Sequence, residues 1–245
     1  MDSPTDRKPL KEEIFEALHE RIISGKVQPG TWLRQDELAT TLEVSMTPVR
    51  EALDLLVSAG LAERVPYRGV RVPQPTHQEM AEAYAIRLLL EQVGARAAAI
   101  KREAAQVDRL KLIVARTENL LSLKDMSASR TLSRQFHQLV IESSGNLLLS
   151  RIYATVMNIF PDWMLYEAMF RHPEKLENSL TNEQAGHKAL IDAIEKGDAD
   201  LAARYAGEHV RELGKQMVNF LNVPQELLDE KVALFCLTKI DSIKE

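Results

Sequence analysis

The chain has 245 residues, of which 45% are hydrophobic, 27% charged and only 5% aromatic. This composition is typical of a globular protein with one large or two smaller domains, and it favours aliphatic helices over sheets. The single cysteine, Cys236, excludes an internal disulfide and a thiolate metal cluster. No apolar run approaches the roughly 20 residues of a membrane span, so we expect a cytoplasmic protein without a membrane partner. The net charge of −5 does not by itself indicate nucleic acid.

The first 72 residues are predicted to form three helices followed by a hairpin. Apolar side chains recur at steps of three and four over residues 10–24, which predicts an amphipathic helix. Further helices are predicted over residues 35–42, where early acidic residues suit the helix dipole, and over residues 45–60. Alternation then replaces helical spacing in residues 61–65 and 69–72, which predicts two short strands joined by a turn. This order is that of a winged helix-turn-helix.

A proline-containing linker, residues 73–76, separates this domain from a second one. Thr76 and Glu79 have the spacing of a capping box, so a helix is expected to begin directly after the linker. Residues 77–222 show only helical periodicity, which predicts an antiparallel bundle of about six helices and a mostly α fold. Residues 223–245 are a C-terminal extension with the spacing of one more helix. The predicted breaks in the bundle are Lys124–Ser127, Ser144–Asn146, Phe160–Pro161, His172–Ser179 and Lys196–Asp198.

The second helix of a helix-turn-helix enters the major groove, with its first residues against bases and phosphates. The run Ser45-Met46-Thr47-Pro48 is a helix-start signal, with a hydroxyl cap before a proline in the first turn. The helix is predicted to begin with Thr47-Pro48-Val49-Arg50, which places the Thr47 hydroxyl and the Arg50 guanidinium near its start. An arginine at the hairpin tip, Arg68, can enter the adjacent minor groove. The predicted DNA-binding residues are Arg34, Ser45, Thr47, Pro48, Arg50, Arg68 and Gly69. The alternative is that the two helices form a hairpin used only for packing.

The most specific motif of this segment is Val44-Ser45-Met46-Thr47-Pro48-Val49-Arg50-Glu51-Ala52-Leu53. Together with Asp36-Glu37-Leu38-Ala39 and Gly60-Leu61, it resembles the N-terminal domain of the GntR family of bacterial regulators, over residues 10–73. The resemblance implies a homodimer that binds a double-stranded, palindromic DNA operator. The family usually has arginine at the position of Met46 and often a basic residue at Asp36. Their absence implies weaker phosphate anchoring or an altered operator.

Three histidines, His137, His187 and His209, each lie on the apolar face of a different predicted helix. A single histidine in such a place is usually a hydrogen-bonded core residue. Three that point into one bundle are also natural ligands for Zn²⁺ or Ni²⁺. Spacing alone leaves the core and metal interpretations equally open. The remaining histidines, interpreted as surface residues, are His19, His77 and His172.

Several motifs of the second domain resemble the ligand-binding FCD domain of the FadR branch of the GntR family, in its shorter, VanR-like version. They are Phe136-His137, Ser144-Gly145-Asn146, Glu183 with His187, Ala193-Ile194 with Gly197-Asp198, and His209, within residues 78–220. The resemblance implies a divalent metal held by the three histidines and by an Asp or Asn four residues before the first. That position here is Ser133, a poor ligand. The resemblance then implies either that water or effector completes the shell, or that the metal is bound more weakly.

Arg87 is the second candidate site residue, since its helical position carries its guanidinium into the core. A buried arginine needs an anionic partner. Glu91 on the same helix is one such partner. In the resembling family, an arginine at this place pairs with the carboxylate of an organic acid effector.

These features predict a ligand-responsive transcriptional regulator that is not an enzyme, with a small carboxylate effector bound at or near the metal. One alternative is a metal-free member that senses an acyl or CoA-type ligand. Another is a metal-dependent hydrolase or lyase, for which Glu183 is the only acid at helical spacing from a metal histidine. No nucleophile motif or phosphate-binding loop supports that last alternative.

Overall fold

A computed structural model describes residues 8–23, 25–118, 120, 125–159, 164, 165, 168 and 172–235. The chain divides into two compact units, Met1–Gln74 and Pro75–Glu245. Among the described helices, none has both the length and the apolar character needed to cross a membrane. Cys236 and the predicted break at Phe160–Pro161 lie outside the described residues.

The described part of the first unit contains three helices and three short strands. They are α1 (Leu10–Ile23), β1 (Trp32–Leu33), α2 (Gln35–Thr41), α3 (Met46–Ser58), β2 (Glu63–Val65) and β3 (Gly69–Arg71). The strands form an antiparallel sheet in the order β1-β3-β2. The predicted winged helix-turn-helix is therefore confirmed. The sequence did not predict β1, because two residues are too few to show alternation.

The core of the first unit lies between α1 and α3, which pack against each other. Leu18 and Ile22 of α1 are buried, as are Val49 and Leu56 of α3. In each helix these residues lie one or two turns apart, as the amphipathic pattern predicted. The packing leaves the opposite face of α3 exposed to solvent.

The predicted surface position of His19 is wrong, because this residue of α1 is only 5% exposed. It follows Leu18 at the edge of the buried stripe, and its ring stacks on Phe15 at 5.6 Å between centroids. Sequence spacing alone places the residue beside the apolar stripe rather than within it. His77 and His172 are exposed, as predicted.

The described part of the second unit is entirely helical. Its helices are α4 (His77–Lys101), α5 (Ala104–Thr117), α6 (Met126–Ser143), α7 (Leu147–Ile159), α8 (Pro173–Lys196), α9 (Ala199–Leu221) and α10 (Gln225–Phe235). Mostly aliphatic side chains from α4, α5, α6, α8 and α9, together with Phe136, fill its main core. The predicted helical domain is confirmed, and α10 lies in the predicted C-terminal extension.

Helix α4 is the central element of the second unit, since α6, α7, α8, α9 and α10 all pack on it. The predicted capping box starts it. The N–H of Glu79 donates to the Thr76 hydroxyl at 3.2 Å, and the N–H of Thr76 donates to the Glu79 carboxylate at 2.7 Å. The contact of α4 with α9 is close, because a Cβ on Gly214 would lie 2.7 Å from the ring of Tyr84. Side chains carried by α4 therefore reach the middle of the bundle.

Three boundaries of the bundle differ from the predicted ones. The predicted break at Lys124–Ser127 extends too far, because α6 already begins at Met126, while Lys124 lies outside the described residues. The break at His172–Ser179 is wrong, because α8 already begins at Pro173. Proline suits a first helical position, where its missing N–H needs no partner. The boundary between α4 and α5 was not predicted, and Arg102 forms it in the left-handed conformation, with φ +38°, at a place without glycine.

Candidate functional site

The predicted DNA-binding residues of α3 lie at its exposed beginning. Ser45 precedes the helix in an extended conformation, but its hydroxyl forms no capping hydrogen bond, contrary to our expectation. Gln35 of α2 instead connects the two helices by donating to the carbonyl of Met46 at 2.9 Å. Thr47 and Arg50 are exposed and Pro48 is half-buried. The first turns of α3 are therefore accessible to DNA.

Three of the predicted arginines, Arg34, Arg50 and Arg68, border one surface depression of about 170 Å³. Arg64 also lines it and forms an ion pair with Asp54 of α3. Sequence reasoning missed Arg64, because nothing in strand alternation distinguishes it from a solvated side chain. Four guanidinium groups therefore lie on one face of a unit whose sequence is not basic overall, and two of them are paired with carboxylates, Arg64 with Asp54 and Arg34 with Glu37.

The tip of the hairpin owes its shape to Gly69, whose φ is +112°. A Cβ there would meet nothing within 4 Å, so the backbone conformation, and not lack of space, requires glycine. Arg68 beside it lies 6.0 Å from the ring centre of Trp32, and Arg71 lies 5.8 Å from it. These distances allow weak cation–π contacts that order the basic side chains of the wing.

In the second unit the three predicted histidines come together from three helices. His137 of α6, His187 of α8 and His209 of α9 each offer a ring nitrogen, and these nitrogens all lie within 4.8 Å of one another. The Nε2 atoms of His137 and His187 are 3.2 Å apart. Two of the rings are buried and that of His209 is half-buried.

The separation of His137 and His187 matches that of two ligands on one divalent metal ion, whereas the widest separation in the cluster, up to 4.8 Å, must shorten when an ion binds. With zinc–nitrogen distances near 2.0–2.1 Å, two imidazole nitrogens on one tetrahedral ion lie roughly 3.3 Å apart. The 3.2 Å separation agrees with that value, although a hydrogen bond between two rings would also produce it. Burial, followed by the charge of neighbouring histidines, lowers the pKa of His187 well below its usual range and that of His209 to about 3. Neutral rings are the form that binds metals.

A buried carboxylate, Glu91, organises the side of the cluster that faces α4. Its Oε1 accepts hydrogen bonds from Arg87 Nε at 2.7 Å and from the Tyr153 hydroxyl at 2.9 Å. Its Oε2 lies 2.9 Å from Nδ1 of His137, a short contact whose N–H direction is off-line for a full hydrogen bond. A carboxylate beside Nδ1 favours the proton there and leaves Nε2 as the lone-pair nitrogen facing the other histidines.

The charges of this network set the pKa values of its acids. Burial by itself raises the pKa of Glu91, but His137 and Arg87 outweigh burial and hold that pKa well below the usual range. Burial, and then the neighbouring Glu91, raise the pKa of Tyr153 well above its usual range. The network therefore contains an ionised carboxylate and a protonated phenol, which are the acceptor and donor that its hydrogen bonds require.

Ser133 and Glu183 form a hydrogen-bonded pair beside the histidines. The Ser133 hydroxyl of α6 donates a hydrogen bond to Glu183 Oε1 of α8. The same oxygen lies 4.0 Å from Nε2 of His187. A carboxylate is therefore present near the cluster, although the chain has no acid at position 133.

A cavity of about 430 Å³ opens beside the cluster, and both His137 and His209 reach its wall. Three arginines line it, namely Arg87, which was predicted, and Arg130 and Arg134 of α6, which were not. The last two share the helical face of His137, which is the signal that could have found them. Asn182, Gln216 and Asn219 add amide groups to the wall. The cavity can hold a small anion with polar substituents.

Comparisons with known proteins agree with this architecture. Residues 10–72 match the model described as bacterial regulatory proteins, gntR family, and residues 79–212 match the FCD domain. The gluconate operon transcriptional repressor of Bacillus subtilis (strain 168) is 30% identical over 185 residues, 75% of each chain. The HTH-type transcriptional repressor RspR of Escherichia coli (strain K12) is 26% identical over 214 residues, 86% of this chain and 90% of the relative.

A solved structure shows the same fold. E. coli McbR/YncC superposes with a TM-score of 0.58 at 18% identity, and the match covers 87% of this chain and 100% of that one. The FCD match alone spans more than half of the chain, and the gntR match spans most of the remainder. These families consist of regulators and not of enzymes, which removes the support for a hydrolase or lyase. The chain belongs to the GntR family of bacterial transcriptional regulators, with an N-terminal DNA-binding helix-turn-helix and a C-terminal FCD ligand-binding domain.

Proposed function

We propose that this protein is a homodimeric repressor that responds to a small carboxylate metabolite. The effector binds in the cavity of the second unit, beside a Zn²⁺ or Ni²⁺ ion held by His137, His187 and His209. The observation that carries the proposal is the placement of three mutually facing histidine nitrogens at the wall of a cavity that also contains three arginines. Such a site offers both a metal and hydrogen-bonding cations to a carboxylate.

On the DNA side, we propose that Thr47 and Arg50 of α3 contact the major groove while Arg68 enters the minor groove. Arg34, Ser45, Pro48 and Gly69 complete the surface. The exposure of Thr47 and Arg50 supports this assignment, as does the depression that Arg50 shares with the wing. A homodimer presents two such surfaces to an operator with two-fold symmetry. Two relatives named as repressors support repression as the mode of action.

In the effector site, the metal when bound supplies a Lewis acid that attracts one carboxylate oxygen. Arg87 lines the cavity while its Nε is engaged by Glu91, so the carboxylate of Glu91 orients the guanidinium. Arg134 is oriented in turn by the carbonyl of Met157, which accepts from its Nη2 at 3.3 Å. These arginines attract a carboxylate and select against cationic or neutral apolar ligands.

The coupling of effector to DNA is proposed to run through α4. This helix begins at His77, directly after the linker, and it carries both Arg87 and Glu91. A ligand that engages Arg87 therefore acts on the helix that is covalently continuous with the DNA-binding unit. The response can be no larger than the difference in effector affinity between the DNA-bound and free states.

The metal-free alternative, a sensor of acyl or CoA-type ligands, has less support. An acyl chain needs a predominantly apolar channel, whereas the described cavity wall combines apolar side chains such as Leu165, Leu213 and Phe220 with arginines, amides and carboxylates. The three facing histidines would also have no ligand-related role in such a protein.

The first test is metal analysis of the purified full-length protein by mass spectrometry, followed by operator binding. We expect close to one Zn²⁺ or Ni²⁺ per chain. The His187→Ala variant should lose the metal and the matched His172→Ala variant should keep it.

The second experiment measures operator binding. DNA duplexes that the protein selects from a random pool are used in anisotropy titrations with gluconate, malate, succinate and citrate. At least one acid should weaken DNA binding tenfold or more, and only with metal present. Absence of metal after addition of Zn²⁺ or Ni²⁺ would overturn the proposed centre.

A further inference from the structure

We propose that Glu183 supplies the carboxylate of the metal centre, in place of the acid that position 133 lacks. This inference rests on the proposed function, since it concerns the same ion. Three neutral imidazoles leave the full charge of a divalent cation uncompensated inside a domain. A carboxylate among the ligands reduces that electrostatic cost.

The placement of Glu183 follows from two helices with matching spacing. On α6, Ser133 lies one turn before His137, and on α8, Glu183 lies one turn before His187. Because both histidines enter the cluster, both preceding side chains lie on the same side of it. The Ser133 hydroxyl donates to Glu183 Oε1 across the two helices. In this assignment α8, and not α6, supplies the carboxylate, and the Ser133 hydroxyl of α6 orients it.

The distance between Glu183 and His187 is about 1 Å longer than that between two ligands of one metal ion. Ligand atoms around one ion lie roughly 3 Å apart when metal–ligand distances are about 2.0–2.2 Å. Oε1 of Glu183 is 4.0 Å from Nε2 of His187, so an approach of about 1 Å completes the coordination. The Glu183 side chain lines the cavity and is 22% exposed, which gives it room for this rotation. Ser133 can keep its hydrogen bond to the carboxylate and act as a positioning residue.

The electrostatic surroundings favour the same assignment. The cavity already contains the guanidinium groups of Arg87, Arg130 and Arg134. Glu91 is engaged by Arg87 and lies beside Nδ1 of His137, the nitrogen on the far side of the ring from the cluster. Glu183 lines the cavity and places a carboxylate oxygen 4.0 Å from Nε2 of His187. Because the arginines already make the cavity positive and Glu91 is engaged elsewhere, Glu183 is the carboxylate that we assign to a divalent ion.

The test compares metal affinity of full-length apo variants by competition with a chromophoric chelator, using Zn²⁺ and Ni²⁺. Glu183→Gln keeps the size and the acceptor for Ser133 but removes the charge, and should weaken binding at least tenfold. Glu212→Gln is the matched control, because it removes an acid from the same cavity wall, and should stay within twofold of wild type. Adding Ser133→Asp to Glu183→Gln should recover most of the loss. Thermal unfolding of each apo protein provides the second readout.

The outcomes separate this inference from the proposed function. Weakened binding by Glu183→Gln with unchanged apo stability supports the ligand role. Wild-type affinity in Glu183→Gln overturns the role of Glu183 and leaves the three-histidine centre intact. Weakened binding together with an apo protein that unfolds several degrees earlier means that Glu183 acts on the fold, and also overturns the assignment. A wild-type protein that binds neither metal overturns both the centre and its carboxylate.

Discussion

Replacing Glu91 with glutamine tests the buried network directly, because the change preserves shape and removes one charge. In the native protein, Glu91 accepts from Arg87 and Tyr153 and lies beside Nδ1 of His137. Glutamine can keep its oxygen in the position that Arg87 and Tyr153 contact. Its NH₂ group must then face His137, which favours an Nδ1 acceptor and moves the ring proton to Nε2. The variant therefore leaves Arg87 without its counter-ion and disables the nitrogen that faces the metal.

The size of the effect follows from burial. The side chains of Arg87 and Glu91 are 5% and 3% exposed. Removing one partner of such a pair costs about 3–5 kcal/mol. Because glutamine retains two hydrogen bonds, we place the loss in the free energy of unfolding near the lower limit, about 3 kcal/mol. For a chain of this length that corresponds to a decrease in Tm of roughly 6–12 °C. Metal affinity should fall about 10–100-fold, as for other groups that orient a metal-binding histidine.

The assay is urea unfolding of the apo protein followed by circular dichroism, at one fixed protein concentration because of the expected dimer. Glu208→Gln is the matched control. Its carboxylate is exposed and lies 3.8 Å from Arg204, so its loss should cost less than about 0.5 kcal/mol. A Glu91→Gln protein within about 1 kcal/mol of wild type would refute the reasoning, since Arg87 would then be compensated by another group.

Three further changes probe the two proposed sites. Arg50→Ala should weaken binding to the selected operator by about 1–3 kcal/mol and leave the circular dichroism spectrum unchanged, because Arg50 is exposed; unchanged anisotropy titrations would reject the recognition-helix assignment. Met46→Arg adds a cation at a residue that is 57% exposed. It should steepen the dependence of log K on log salt by about one unit, and an unaltered slope would mean that position 46 faces away from DNA. His187→Ala should reduce both metal content and the metal-induced rise in Tm, and no change in either would return this histidine to an ordinary core role.

Much of the fold could be read from local pattern. Steps of three and four in the apolar residues predicted α1, α3 and the helical bundle, and the capping box of Thr76 and Glu79 marked the start of α4. The failures came from features without a periodic signal. Strand β1 is two residues long, and Arg102 ends α4 with a left-handed conformation that glycine usually marks. Proline is typical of a break, but Pro173 begins a helix, where its missing N–H needs no partner.

The candidate site shows the same division. Spacing along each helix was sufficient to single out the three histidines and Arg87, because a polar residue at the positions of an apolar helical face can be recognised from the sequence alone. It could not show that Glu91 serves Arg87, Tyr153 and His137 together. Nor could it show that Glu183 of α8 bonds to Ser133 of α6, fifty residues earlier. By itself the sequence determined the helices and most of the side chains that they direct into the bundle, because helical periodicity depends only on neighbours along the chain. Only the tertiary structure decided which of them meet, because their distances depend on how separate helices pack.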